Sequence, residues 1–332
     1  MALTEEPWLA WPEDAPELRL DDEPAGPWYR RRELHLALGV VVAVLTVLFA
    51  GQRATAGARA TLDARLVAAG AGADAALVGI ESEQLDVVRA VAFTSDVGKA
   101  LAAQDGPELN TLVTPLQANS NVPMVDVVLP DGRVLLAVRS KGAPAPVASR
   151  KGLRALTQAL KTANGPRGGR LSEIVIYRSG PTLLTISPIV VGKKPVGAVL
   201  AMTPLADLLG RLSQEVGVEL TAYDSIGDPI ATTAGFTPKP VPASEAENLM
   251  GGGAIATRYV YADHREKLGR LIVDHTPDAV LGVSLEDDSN VVGRTVSIYA
   301  GIGFLACAII LLSYWKRRSL ALPHWARGNG RL

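Results

Sequence analysis

The sequence predicts an α+β protein: a long N-terminal helix, then two tandem modules of similar element order, the whole flanked by two transmembrane helices. Three observations predict it. Two uncharged apolar runs lie near the ends, at Leu36–Ala50 and Val296–Trp315. After the first, apolar residues recur at alternating four and three spacing, the period of a packed helix. Further on, short apolar stretches rich in β-branched residues are cut by Gly and Asp-Gly turns, the pattern of strands. The 332 residues are enough for two modest domains, and a net charge of −1 gives no footprint for nucleic acid. The lone cysteine, Cys307, excludes a disulfide within the chain, and the histidines at 35, 264, 275 and 324 have no metal-ligand spacing.

The second run, VSIYAGIGFLACAIILLSYW, is long enough to span a bilayer; the first, LALGVVVAVLTVLFA, approaches that length with its edges. Spans are expected over 34–51 and 295–315. Arg30, Arg31 and Arg32 precede the first run, and Lys316, Arg317 and Arg318 follow the second. Positive flanks stay on the cytoplasmic side, so both termini are expected inside the plasma (inner) membrane, with residues 52–294 extracytoplasmic. A cleaved leader is the competing reading, with Ala54-Thr55-Ala56 as its cleavage site. The long stretch ahead of the arginines argues against it, since a leader's first segment is short.

Residues 1–33 form an acidic, proline-bearing tail expected to be disordered and cytoplasmic, with Trp8, Trp11 and Trp28 as alternative docking anchors. Residues 53–103 read as one long helix. Its seam of Leu62, Leu66, Ala69, Ala73, Ala76 and Ile80 stutters at Gln84 and resumes at Val87 and Val91. The seam fits either the helix's own domain or a second copy, a homodimer. A distal module follows, about 105–203. In it, strands 125–129 and 133–139 flank Pro130-Asp131-Gly132. A helix over 149–164 and strands at 172–177, 182–191 and 196–202 come next. A proximal module, about 204–286, repeats the order. It has a helix at 204–215, strands 218–223 and 230–233 around an Asp224–Asp228 turn, and strands at 254–262, 267–275 and 279–285. The repeat of about 95 residues marks two similar α/β units.

This plan, carried by VDVVLPDGRVLLAV, SPIVVGKKPVGAVLAMTPLADLL and LTAYDSIGDPIATT, resembles the double Cache (dCache) sensor domains of bacterial signalling proteins, which are built from tandem PAS-like modules. The resemblance covers about 52–294. It implies extracytoplasmic small-molecule sensing. Members of that family usually continue past the second membrane helix into an output domain. Here about 17 residues follow Trp315. The expectation is therefore a sensor that signals through a separate cytoplasmic or membrane signalling protein. The alternative is a scaffold protein of the cell envelope with a degenerate Cache fold.

From Gly132 to Ser172 there are nine basic residues and no Asp or Glu. In proteins of the resembled family this region borders the membrane-distal ligand pocket. Arginine offers carboxylates paired donors, so a small anionic ligand, a carboxylate or an amino acid, is expected. The ligand-binding candidates are Arg139, Tyr177, Arg178 and Thr185; a solvated basic face is the competing reading. No catalytic residue, metal or cofactor is expected. Gly282-Val283-Ser284-Leu285-Glu286 lacks the final glycine of a nucleophile elbow. Gly301-Ile302-Gly303 lies in the second membrane run, where glycines permit close helix packing. Asp274-His275, half of a catalytic pair at most, reads better as structural. A hydrolase is thus the weakest reading.

Overall fold

The computed structural model describes residues 27–320 apart from 166, 167, 254, 262, 263, 275 and 288. Most of the acidic N-terminal tail, the residues after 320, Arg167 and His275 therefore lie outside the described residues. The chain forms two compact units, one of residues 56–290 and one made by the segments on either side.

The flanking segments belong to helices α1 (Pro27–Phe93) and α7 (Ser289–Leu320). Both contain stretches long and apolar enough to cross a membrane. Leu38, Val41, Val42 and Leu45 of α1 and Ile298, Phe304 and Leu305 of α7 are exposed, as lipid-facing side chains are. Glycines let the two helices approach. A Cβ on Gly51 would collide with Val296, and one on Gly303 would sit 3.4 Å from Val44, whereas Gly301 faces open space.

In the 56–290 unit, α1 does not run on to residue 103. It stops at Phe93; Thr94 is extended and its hydroxyl bonds back to the Ala90 carbonyl. The chain resumes as α2 (Ser95–Ala103), which turns Val97 and Leu101 into the core. α3 (Gly106–Ala118) follows, capped by Asp105, whose side chain accepts from Glu108 N.

The first sheet contains β1 (Met124–Val128), β2 (Val134–Arg139), β3 (Leu171–Tyr177), β4 (Gly180–Val191) and β5 (Lys194–Pro204) in the order β2-β1-β5-β4-β3. α4 (Arg154–Lys161) crosses one face; it is shorter than the expected 149–164 because residues 148–152 serve another purpose, described below. After α5 (Leu205–Val216) comes the second sheet: β6 (Glu219–Tyr223), β7 (Pro229–Thr232), β8 (Ala256–Tyr261), β9 (His264–Val273) and β10 (Thr276–Glu286). Its order, β7-β6-β10-β9-β8, repeats the first, and α6 (Ala243–Met250) takes the place of α4.

The α1 seam packs on its own domain. Leu62, Leu66, Ala69, Ala73 and Ile80 join Leu205, Leu208, Leu209 and Leu212 of α5 and the near face of the second sheet. Val87, Val88 and Val91 join the near face of the first, with α2 and α3. At the stutter between these stretches, Gln84 is wholly buried. Its Nε2 donates to Thr203 Oγ1 and its Oε1 accepts from Thr185 Oγ1, both at 2.7 Å, and Thr185 meets Ser172 at 3.0 Å.

Candidate functional site

The far face of the first sheet carries the charged cluster. Residues opposite one another in a ladder share a face, so Asp126 of β1, Leu200 of β5, Ile186 of β4 and Leu171 of β3 look toward α4. A carboxylate in the middle of MVDVV is then buried, and it is found with 0% exposure. Burying it requires charge partners. Two arginines supply them. Arg150 gives Nε and Nη2 to Asp126 Oδ2 at 3.0 and 2.7 Å, and its guanidinium lies 4.7 Å over the Tyr177 ring. Arg139 Nη2 lies 2.6 Å from Asp126 Oδ1.

Backbone geometry puts Arg150 there. The Asp131-Gly132 turn ends on a glycine at φ +86°, where a side chain would be strained and would collide with the backbone of Lys151. That space admits a strap, residues 148–152. Arg150 N donates to Gly132 O at 2.7 Å and Val134 N to Ala148 O at 3.0 Å. The second module repeats the joint. Gly227 has φ +93°, and Val241 N donates to its carbonyl at 2.8 Å.

The second module also buries a carboxylate, an arginine and a tyrosine on the matching face. There Tyr223 OH donates to Glu266 Oε1 at 2.8 Å and Arg258 Nε to Oε2 at 2.9 Å. Arg258 spends its remaining nitrogens on the Pro240 and Lys239 carbonyls, both at 2.7 Å. Burial and the adjoining Glu266 push the Tyr223 hydroxyl well above its ordinary value, so it stays a donor. This cluster is complete.

The distal one is not. It holds two guanidiniums for one carboxylate. Arg139 Nε and Nη2, Asp126 Oδ1 and the Tyr177 hydroxyl are buried without hydrogen-bond partners. Burial raises the Tyr177 hydroxyl above its usual range, which also keeps it a donor. The chemistry this offers is spare hydrogen-bond donation and net positive charge, both suited to an anion.

Of the four residues predicted from sequence, the structure brings Arg139 and Tyr177 to this cluster. It does not bring the other two. Thr185 lies on the opposite face, bonded to Gln84, because its position on β4 has the other parity. Arg178 is exposed in the turn between β3 and β4. Asp126 and Arg150 were missed as site residues. Their signal was a single acid inside an apolar strand, followed by a run of basic residues with no acid to balance it.

No protein-family model matches the chain, and no curated protein matches it in sequence. Solved structures do match in shape. A domain of a sensory box/GGDEF family protein from Vibrio parahaemolyticus superposes with a TM-score of 0.50 at 11% identity, over 71% of this chain and 98% of that one. With the paired five-stranded sheets behind one long helix, that decides the fold. The domain is a double Cache fold. Looser matches to Cache-type domains include the sensor domain of the Vibrio cholerae histidine kinase DctB (TM-score 0.46, 7% identity, 67% of this chain and 95% of that one). Another is the ligand-binding domain of the Campylobacter jejuni chemoreceptor Tlp3 in complex with L-norvaline (0.47, 15%, 70% and 92%).

Proposed function

We propose that this chain is a membrane-anchored extracytoplasmic sensor whose distal Cache module binds a small anionic ligand at Asp126, Arg139, Arg150 and Tyr177. One observation carries the reading: the distal cluster buries two guanidiniums against one carboxylate and a tyrosine hydroxyl without a hydrogen-bond partner, while its counterpart around Glu266 is fully paired. Orphaned buried donors are costly, and an acceptor from outside the chain would satisfy them. The arginine and lysine clusters at 30–32 and 316–318 support an inner-membrane location with both termini cytoplasmic.

The relay is the finer part of the proposal: binding shifts the sheet relative to α1, and a separate signalling protein reads that shift. Such coupling requires different ligand affinities in two states. The scaffold reading draws on one feature, that Asp126 already holds Arg150 and the face is covered by α4. The deciding measurement is thermal unfolding of the full chain in nanodiscs against a panel of carboxylates and amino acids. The sensor reading expects at least one to raise the midpoint, and Arg139→Ala to remove that rise. A flat response across the panel, with one stoichiometric partner on copurification, favours the scaffold.

A further inference from the structure

We infer that the outer surface of α4 and its two flanks is a docking surface for a polyanion whose repeat carries phosphate. The net charge of −1 for the whole chain conceals two opposed modules. Residues 105–203 hold twelve Lys and Arg against five Asp and Glu, a net of +7; residues 204–286 hold six against twelve, a net of −6. The covering helices show the same reversal. α4 carries Arg154 and Lys161 and no acid, whereas α6, in the matching place, carries Glu245 and Glu247 and no base. Packing does not dictate that sign, because each helix buries only apolar residues: Ala155, Leu156 and Ala159 on α4, Ala246 and Leu249 on α6.

Three elements bring five cations to this surface. The strap supplies Lys151, just ahead of α4. Arg154 and Lys161 stand at the two ends of the helix, about 10 Å apart along its axis. Beyond it, Asn164 Nδ2 donates to the Lys193 carbonyl at 3.3 Å, which ties the β4–β5 turn, with Lys193 and Lys194, to the end of α4. All five are exposed, and among the described residues none makes an ion pair or a side-chain hydrogen bond. Arg154 also opens α4, the end at which the helix dipole disfavours a cation; the half-buried Glu173 below offsets that in part. Spacing and residue type narrow the partner. One phosphate cannot span α4, but a polymer meets several cations at once and gains by multivalency. Four of the five are lysines, point charges that suit phosphate, whereas paired recognition of carboxylate favours the arginine fork. Thr157 and Gln158, the other exposed residues of α4, are polar. A helix that lies on lipid presents bulky apolar residues instead, so a soluble polymer fits this surface better than a bilayer.

The surface is separate from the buried Asp126 cluster and does not depend on that cluster's ligand. The test uses the full chain in phosphatidylcholine nanodiscs, with long-chain inorganic polyphosphate as the probe, and reads affinity across a salt series by biolayer interferometry. Polyphosphate is expected to bind about tenfold or more tightly than orthophosphate at equal phosphorus. Combining Lys151→Gln, Lys161→Gln, Lys193→Gln and Lys194→Gln should weaken binding about tenfold or more and make the log–log salt slope shallower by about 3, roughly 0.7 per lost contact, with the unfolding midpoint unchanged. Lys99→Gln with Lys239→Gln, exposed lysines of α2 and of the second module, should leave binding as it was. No binding at low salt, or binding unaltered in the fourfold variant, overturns the inference. Equal binding of orthophosphate overturns the polymer, and equal or tighter binding of polygalacturonate overturns phosphate as its chemistry. Tighter binding to phosphatidylglycerol vesicles overturns it in favour of a lipid surface. The fourfold variant should keep any carboxylate response that Arg139→Ala removes, so this inference and the sensor reading fail separately.

Discussion

Asp126 and Gly282 show at single positions how each module closes its charged face. Asp126 has no exposed atom and is met by two guanidiniums. Removing one member of a buried ionic group leaves the others desolvated and unmatched, so Asp126→Ala should cost about 3–5 kcal/mol of stability in denaturant unfolding. Gly282 of β10 marks the same constraint from the other side. A Cβ there would run into Glu266 Oε1 and the Tyr223 ring, so the Glu266 cluster fits only over a glycine. Gly282→Ala should therefore destabilise by about 1–3 kcal/mol, the usual range for overpacking. Pairing it with Tyr223→Phe in a double-mutant cycle should give a non-additive result, since both act on one carboxylate.

At the scale of elements, the contact of α1 with the first sheet centres on Gln84. Neighbouring strand positions send their side chains to opposite faces, so Leu184, Ile186 and Met202 pack on the α4 side while Thr185 and Thr203 hold Gln84. Gln84→Leu preserves the volume but strands the threonine hydroxyls. It should cost about 1–3 kcal/mol and speed amide exchange in α1 around Val87 and Val91. The strands were legible because short apolar runs rich in β-branched residues ended on Gly and Asp-Gly turns. α3 was not, because Pro107 and Pro115 read as breakers, yet one lies in the first turn and the other is accommodated near the C-terminal end. α6 is eight residues between prolines and glycines, too short to show a period. That Thr185 falls on the face away from the charged cluster was not legible for a similar reason: parity depends on register with β5, which one strand alone does not reveal.

Across the whole domain, the two modules meet through carboxylates. Ile174 N of β3 donates to Asp278 Oδ2 of β10 at 3.0 Å. Burial first, then the nearby Asp278, raises Glu173 above its usual 4.5; burial first, then Asp274, raises Asp278 above 3.8. Arg154 opposes the shift at Glu173, and Ile174 N and Thr276 oppose it at Asp278. A raised folded pKa means the native state binds protons more readily than the unfolded chain. This contribution to stability is complete below the unfolded values and fades as pH rises through the raised ones. The unfolding midpoint should therefore climb as pH drops from neutral toward the upper end of the carboxylate range. Glu173→Gln should flatten that climb and raise the midpoint at neutral pH; an unchanged slope would dissociate Glu173 from it.

The strap joint separates what the main chain fixes from what the side chains fix. Gly132 and Gly227 lie 95 positions apart, and each accepts one backbone hydrogen bond from the segment leading into the covering helix. The charged groups did not keep step: the buried carboxylate stands on β1 in one module and on β9, the counterpart of β4, in the other. The modules thus share the main-chain joint and differ in their ionic chemistry. Grafting 148–152 onto the Gly227 turn should then be tolerated by the backbone, and whether the graft's arginine finds a carboxylate would be decided by side chains alone.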